Sequence, residues 1–216
     1  MKRELTHIIA LTAILMLASF PCCAGAAQRW LQKYSYVQIH GKKLELNESL
    51  PVLEKMLMAS NKAEVGEAVS CVHRWSRQLI GRPIVDVIVE RYSREKDPML
   101  KLELLKAIGE IADPKTQAFL KMESKSQVEL LKMIALAGLI EQGSRPAAVE
   151  LARLMVETKD RTIAKECLTL LFTSLDENKP LEAFDFESPA KQKMAQFHKW
   201  ESSGILSKLA ETVPEK

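Results

Sequence analysis

The chain has 216 residues, of which 47% are hydrophobic, 27% charged and 6% aromatic; that is enough for one domain with a sizeable core or for a short repeat array. Eight glycines and nine prolines exclude a linker-rich or disordered chain, and the abundance of Leu, Ala, Lys and Glu favours helix over sheet. The formal net charge of +3, with basic and acidic residues interleaved, is too weak a bias for a nucleic-acid binder.

Residues 1–26 have the layout of a secretory signal peptide. Lys2 and Arg3 supply a positive start, and Ile8 to Phe20 form an uncharged apolar run of 13 residues. Pro21 breaks that run, and Ala24-Gly25-Ala26 offers the small residues a signal peptidase accepts. A bilayer span needs roughly 20 apolar residues, so cleavage is expected rather than a retained anchor, with no stable membrane insertion afterwards. Lipidation at Cys22 or Cys23 is the third option, but Phe20-Pro21 is a poor approach to a lipobox cysteine. The short, basic, Ala-rich style is bacterial, which places the mature protein in a periplasm or outside the cell. Cleavage removes Lys2, Arg3 and Glu4, leaving the mature chain one unit less positive.

Export would leave two cysteines, Cys71 and Cys167, in an oxidising compartment that invites a disulfide. Both also fit the apolar stripe of a helix. They lie 96 residues apart, about three repeats in the register described below. Stacked helical pairs advance by roughly 10 Å each, whereas a disulfide needs Cα atoms within about 7 Å. Two buried free thiols are therefore expected.

The first segment of the expected mature chain, residues 27–47, forms an N-terminal arm or hairpin. Tyr34 to Ile39 and Leu44 to Leu46 alternate polar and apolar residues around His40-Gly41-Lys42-Lys43, a β-hairpin signal with an extended arm as the competing reading. From residue 48 to 175 helix signals dominate. Ser49 before Pro51 suggests an N-cap, with Leu53, Met56 and Leu57 as the following stripe. Residues 62–79 place Val65, Ala68, Val69, Val72, Trp75 and Leu79 on one helical face. Ile84 to Val89 is β-branched and reads as strand by propensity, but Pro83 and the repeat register predict helix. Asp97-Pro98 and Asp113-Pro114 open two further helices, and residues 126–141 are apolar on most sides, as a helix with several neighbours should be. Helices are expected at 146–158 and 161–175, then a loop and capping helices over 176–216, the last opened by Ser188-Pro189.

Pro83, Pro114, Pro146 and Pro180 are separated by 31, 32 and 34 residues. Proline suits the first turn of a helix, where its missing N–H loses nothing. A unit of helix, tight turn and proline-started helix thus repeats along the chain, and because one unit cannot bury both helices, neighbours must stack. The segment Leu104-Leu-Lys-Ala-Ile-Gly-Glu-Ile-Ala-Asp-Pro114 resembles the core of bacterial HEAT-like repeats, including those of the phycobilisome-lyase type. Ala137 to Pro146 is a looser copy, Arg82-Pro83 a degenerate one, and Leu181 to Phe186 after Pro180 breaks the pattern. The resemblance covers residues 62–175. It implies an all-α class, an alpha-alpha superhelix of about four helical pairs.

No residue pattern nominates chemistry. His40, His73 and His198 have no histidine three or four residues away, and Cys71-x-His73 points to different helix faces. No phosphate-binding glycine loop and no Gly-x-Ser-x-Gly elbow is present. Glu103, Glu110 and Asp113 are accounted for by solvation and helix capping. Trp75 belongs to a buried stripe, and Trp200 beside Phe197 suits the closing helix of an array. No catalytic residue, metal site or cofactor is therefore expected. The expected function is a non-catalytic exported scaffold or adaptor binding a protein or peptide through a helical-repeat surface. The alternative is an accessory or lyase-like protein with a small-molecule groove. The segments after Pro83, Pro114 and Pro146 would line one face, bringing Arg91, Arg94, Lys121 and Arg153 together among Glu90, Glu150 and Glu157. Trp30 in the arm is the expected exposed contact. Intact-mass analysis of the exported protein should find Ala27 as the mature N-terminus; a species retaining residues 1–26, or a lipid on Cys22 or Cys23, contradicts this.

Overall fold

The computed structural model describes residues 36–39, 42–174 and 184–206, with side chains beyond Leu171 resuming at Phe184. The signal segment, Trp30, His40 and the region of Pro180 lie outside the described residues. The chain divides into two units, 1–52 and 53–216.

In the first unit, β1 (Tyr36–Ile39) pairs antiparallel with β2 (Lys42–Glu45), with Ile39 opposite Lys42 and Tyr36 opposite Glu45. The hairpin signal is realised, but Lys42 and Lys43 join the ladder instead of the turn. Only two residues then lie between the strands. Helix α1 (Leu46–Leu57) follows at once and continues into the second unit. Its start corrects the expected N-cap at Ser49. The Glu45 N–H donates to the Glu48 carboxylate at 3.4 Å, and the Ser49 hydroxyl donates to the Leu46 carbonyl at 2.8 Å. Ser49 is therefore an interior residue of the first turn, and Pro51 sits within the helix.

The second unit holds the remaining helices. In α2 (Lys62–Trp75) the Asn61 side chain caps the start by accepting from the Ala63 N–H at 2.9 Å, and the expected stripe is buried together with Cys71. The α-helix ends earlier than expected. A 3-10 turn, Ser76–Gln78, carries the chain to buried Leu79, and Gly81 at φ 71° reverses it. Next, α3 (Ile84–Arg94) is helical despite its β-branched residues, because Ile84, Val85, Ile88 and Tyr92 fall on one buried helical face. The Asp97 carboxylate accepts from the Met99 and Leu100 N–H groups at the start of α4 (Pro98–Glu110). Asp113 and Thr116 form a capping box at α5 (Pro114–Glu123). The helix expected from residue 126 starts later, as α6 (Glu129–Glu141), because the Ser126 hydroxyl takes the Val128 N–H at 3.2 Å and holds a turn there. It is followed by α7 (Arg145–Glu157), α8 (Arg161–Ser174) and α9 (Ala190–Ser202).

Successive first helices pack in order, α2 on α4, α4 on α6 and α6 on α8, while the second helix α3 packs on α5. From α3 onward each helix up to α8 also packs on the next in sequence, and α9 covers α7. This is an all-α superhelix of stacked helical pairs. Pro83, Pro114 and Pro146 each open a second helix, as their spacing requires. Between α3 and α5, Tyr92 meets Phe119 edge to face at 5.1 Å, and the Tyr92 hydroxyl donates to Glu123 at 2.8 Å. Phe197 and Trp200 of α9 are buried, with Phe184 5.6 Å from Trp200.

Gly109 of α4 and Gly138 of α6 meet in a close backbone approach between layers. A Cβ built on Gly138 would stand 2.7 Å from the Gly109 Cα, and one on Gly109 would stand 3.0 Å from the Gly138 Cα. Both obstacles are backbone. Gly66 in α2 has nothing within 4 Å of a built Cβ. Gly138→Ala should therefore destabilise by about 1–3 kcal/mol through overpacking, against its gain in helix propensity. Gly66→Ala should stabilise by up to about 1 kcal/mol. Urea denaturation followed by circular dichroism checks both, and equal effects at the two positions would contradict the close crossing.

Candidate functional site

The Gly109–Gly138 crossing is also part of a surface groove of about 430 Å³ that spans three successive first helices. Leu102, Lys106 and Glu110 recur every four residues along α4 and present one stripe to it. Leu130, Ile134, Ala137 and Glu141, three or four residues apart, present a stripe along α6, and Glu166 and Leu170 do so along α8. Leu102, Leu130, Ala137 and Leu170 are only half-buried. Each helix thus contributes apolar area that its neighbours leave partly uncovered.

The polar groups of the groove are mostly carboxylates. Glu110 and Glu141 are the final residues of α4 and α6, at the negative end of each helix dipole, where a cation is the stabilising choice. His73 of α2 approaches Glu110 with Nδ1 2.8 Å from Oε1. Lys106, the one cation lining the groove among the described residues, lies 2.8 Å from Glu103.

A second cleft, of about 640 Å³, lies at the turns between helices and is lined by Arg77, Ile80, Pro114 and Gln117 among others. Its buried polar members are engaged in holding repeats together. Asp113 accepts from the Gly81 N–H of the preceding turn and from the Lys115 N–H, each at 2.8 Å. The Gln142 amide donates to the carbonyls of Gly109 and Ile111, each at 2.9 Å. Asp113, expected simply as a cap, is a buried inter-repeat tie as well.

The four cations expected to share a face sit on second helices, each engaged locally. Arg91 is 16% exposed, pairs with Glu95 through Nη2 at 2.5 Å, and keeps Nε buried without a hydrogen-bond partner. Arg94 pairs with Glu90. Lys121 lies 3.5 Å from the Gln117 side-chain oxygen. Arg153 stands 3.6 Å from Glu150 and 5.7 Å from the centre of the Phe197 ring, which ties it to the closing helix. Glu157 ends α7. Trp75 is buried in α2.

Sequence reasoning missed the groove. Its leucines are ordinary members of an apolar helical stripe, and only the stacking decides which of them stay uncovered. Gly109 and Gly138 were the available signal, since a glycine inside a well-formed helix costs about 1 kcal/mol and implies a close approach. Among the described residues, no group of three His, Cys, Asp or Glu side chains is placed to hold a metal ion, and no helix is long and apolar enough to cross a membrane. Compared with known proteins, the chain matches no family model, no curated protein and no solved structure.

Cys71 and Cys167 are free and buried on α2 and α8. Burial, with Glu67 adding to it, pushes the Cys71 thiol up. Burial foremost, then Glu129, pushes Cys167 from the ordinary 9.0 to about 12. The unfolded Cys167 ionises above pH 9 while the folded thiol keeps its proton, so its linkage is neutral below pH 9 and destabilising from there to about 12. Chemical denaturation across that window should show stability falling with pH, and Cys167→Ala should remove up to ~1.4 kcal/mol per pH unit of the slope. An unchanged slope would contradict the burial of this thiol.

Proposed function

We propose that the protein is a non-catalytic exported scaffold or adaptor of the HEAT-like repeat type, and that it holds a protein or peptide partner in the groove across α4, α6 and α8. The observation that supports this most is the row of half-buried leucines, Leu102, Leu130 and Leu170, on three consecutive first helices. A monomer gains nothing by leaving such area partly uncovered around one groove, whereas contiguous apolar surface marks interaction sites. The alternative, a small-molecule accessory protein, would use the same groove. An opening across three helices, lined mainly by aliphatic side chains, suits an extended macromolecular contact better than an enclosed ligand.

A photocrosslinking amino acid at position 130 or 170 of the protein in its native host should capture one defined partner, identified by mass spectrometry. The same group at position 94 or 121 should not. Capture from 94 or 121 alone would move the site to the second helices, and a bound small molecule in place of a protein would favour the alternative.

A further inference from the structure

We infer that the groove's partner is a short amphipathic helix with aliphatic anchors along one face and lysine or arginine beside them. This rests on the groove being the binding site. The walls supplied by Leu102, Leu130, Ile134 and Leu170 call for aliphatic anchors, since these side chains carry no hydrogen-bonding group. The rim calls for positive charge. Glu110, Glu141 and Glu166 come from three different helices, and Glu110 and Glu141 reinforce the negative ends of α4 and α6 instead of opposing them. Among the described residues the lining holds these three carboxylates against one cation, Lys106, which has Glu103 at 2.8 Å, with His73 beside Glu110, so the opening presents net negative charge to whatever approaches. Such an opening repels anionic lipid headgroups and nucleic acid, and attracts cationic side chains.

Dimensions favour a helix. Three helices stacked at roughly 10 Å give a groove about 20 Å long, the length of about 13 helical residues at 1.5 Å each. A helix laid across them meets successive groove helices about every seven residues at 1.5 Å each, so anchors at i and i+7, with i+3 and i+4 between them on the same face, suit the three walls. Basic residues flanking that stripe then fall beside the glutamates at the helix ends.

The test uses the full mature chain and two synthetic, fluorescein-labelled helical peptides. Both carry the same leucine stripe; one has lysine and the other glutamate at the flanking positions. Fluorescence anisotropy should give saturable binding of the lysine peptide and at least tenfold weaker binding of the glutamate peptide, with the gap closing as salt is raised. The combined variant E110Q/E141Q/E166Q should lower affinity for the lysine peptide severalfold and leave the glutamate peptide unchanged or tighter. The variant L130Q/L170Q, checked for folding by its melting curve, should weaken both. Equal binding of the two peptides by the unmodified protein overturns the inference without recourse to any variant, as does a glutamine variant that keeps full preference. If neither peptide binds while crosslinking through position 130 still captures a native partner, the basic-helix inference fails and the groove itself stands. If crosslinking fails as well, both fall.

Discussion

The contact between Gly109 and Gly138 sets how close α4 and α6 come, and much of the rest of the second unit follows from it. With a Cβ at either position the two backbones would have to move apart. At their present separation the Gln142 amide reaches back to the carbonyls of Gly109 and Ile111, which end α4 and lie buried. Buried carbonyls left without donors would each be costly, so the glycine pair and the glutamine act together. The same crossing contributes both glycines to the groove, so packing and the candidate site share one cause.

Beyond that crossing, repeats are joined by side chains that meet at roughly the repeat spacing. Lys62 with Asp97, Asp86 with Lys115, Tyr92 with Glu123, Glu129 with Thr158 and His73 with Glu110 link residues 29 to 37 positions apart. The exposed ion pairs among them contribute little, since solvent screens them and two long side chains must be held still. The partly buried Tyr92–Glu123 contact and the buried ties of Asp113 and Gln142 contribute more, because their groups have lost water. Stability in such a stack comes mainly from nearest-neighbour interfaces, so a single internal contact influences the whole array.

The two surfaces of the stack differ in how their charges are used. On the second helices Arg91, Arg94 and Arg153 face carboxylates of their own helix, and Arg153 also lies against the ring that closes the array. On the first helices, Glu110 and Glu141 stand where the helix dipole disfavours them. His73 meets Glu110 at 2.8 Å, so that carboxylate serves both the contact with α2 and the groove it lines.

The sequence by itself determined the helical class and the proline-marked spacing of helical pairs, and left the N-terminal segment open between a hairpin and an extended arm. The Asp97-Pro98 and Asp113-Pro114 starts and the buried face of Val65 to Trp75 depend on capping and on 3.6-residue periodicity, both local properties. The proline spacing overrode strand propensity at Ile84 to Val89 because a repeat register carries more information than six residues of composition. The first turn of α1 was misplaced because Glu48, not Ser49, takes the N–H at the start, that of Glu45 in the adjoining strand, while the Ser49 hydroxyl donates to the Leu46 carbonyl inside the turn. Tertiary structure alone decided which apolar residues stay uncovered, which glycines touch, and that Asp113 and Gln142 tie one repeat to the next. Each of these depends on the distance between helices about thirty residues apart in the chain, and no pattern along one helix records that distance.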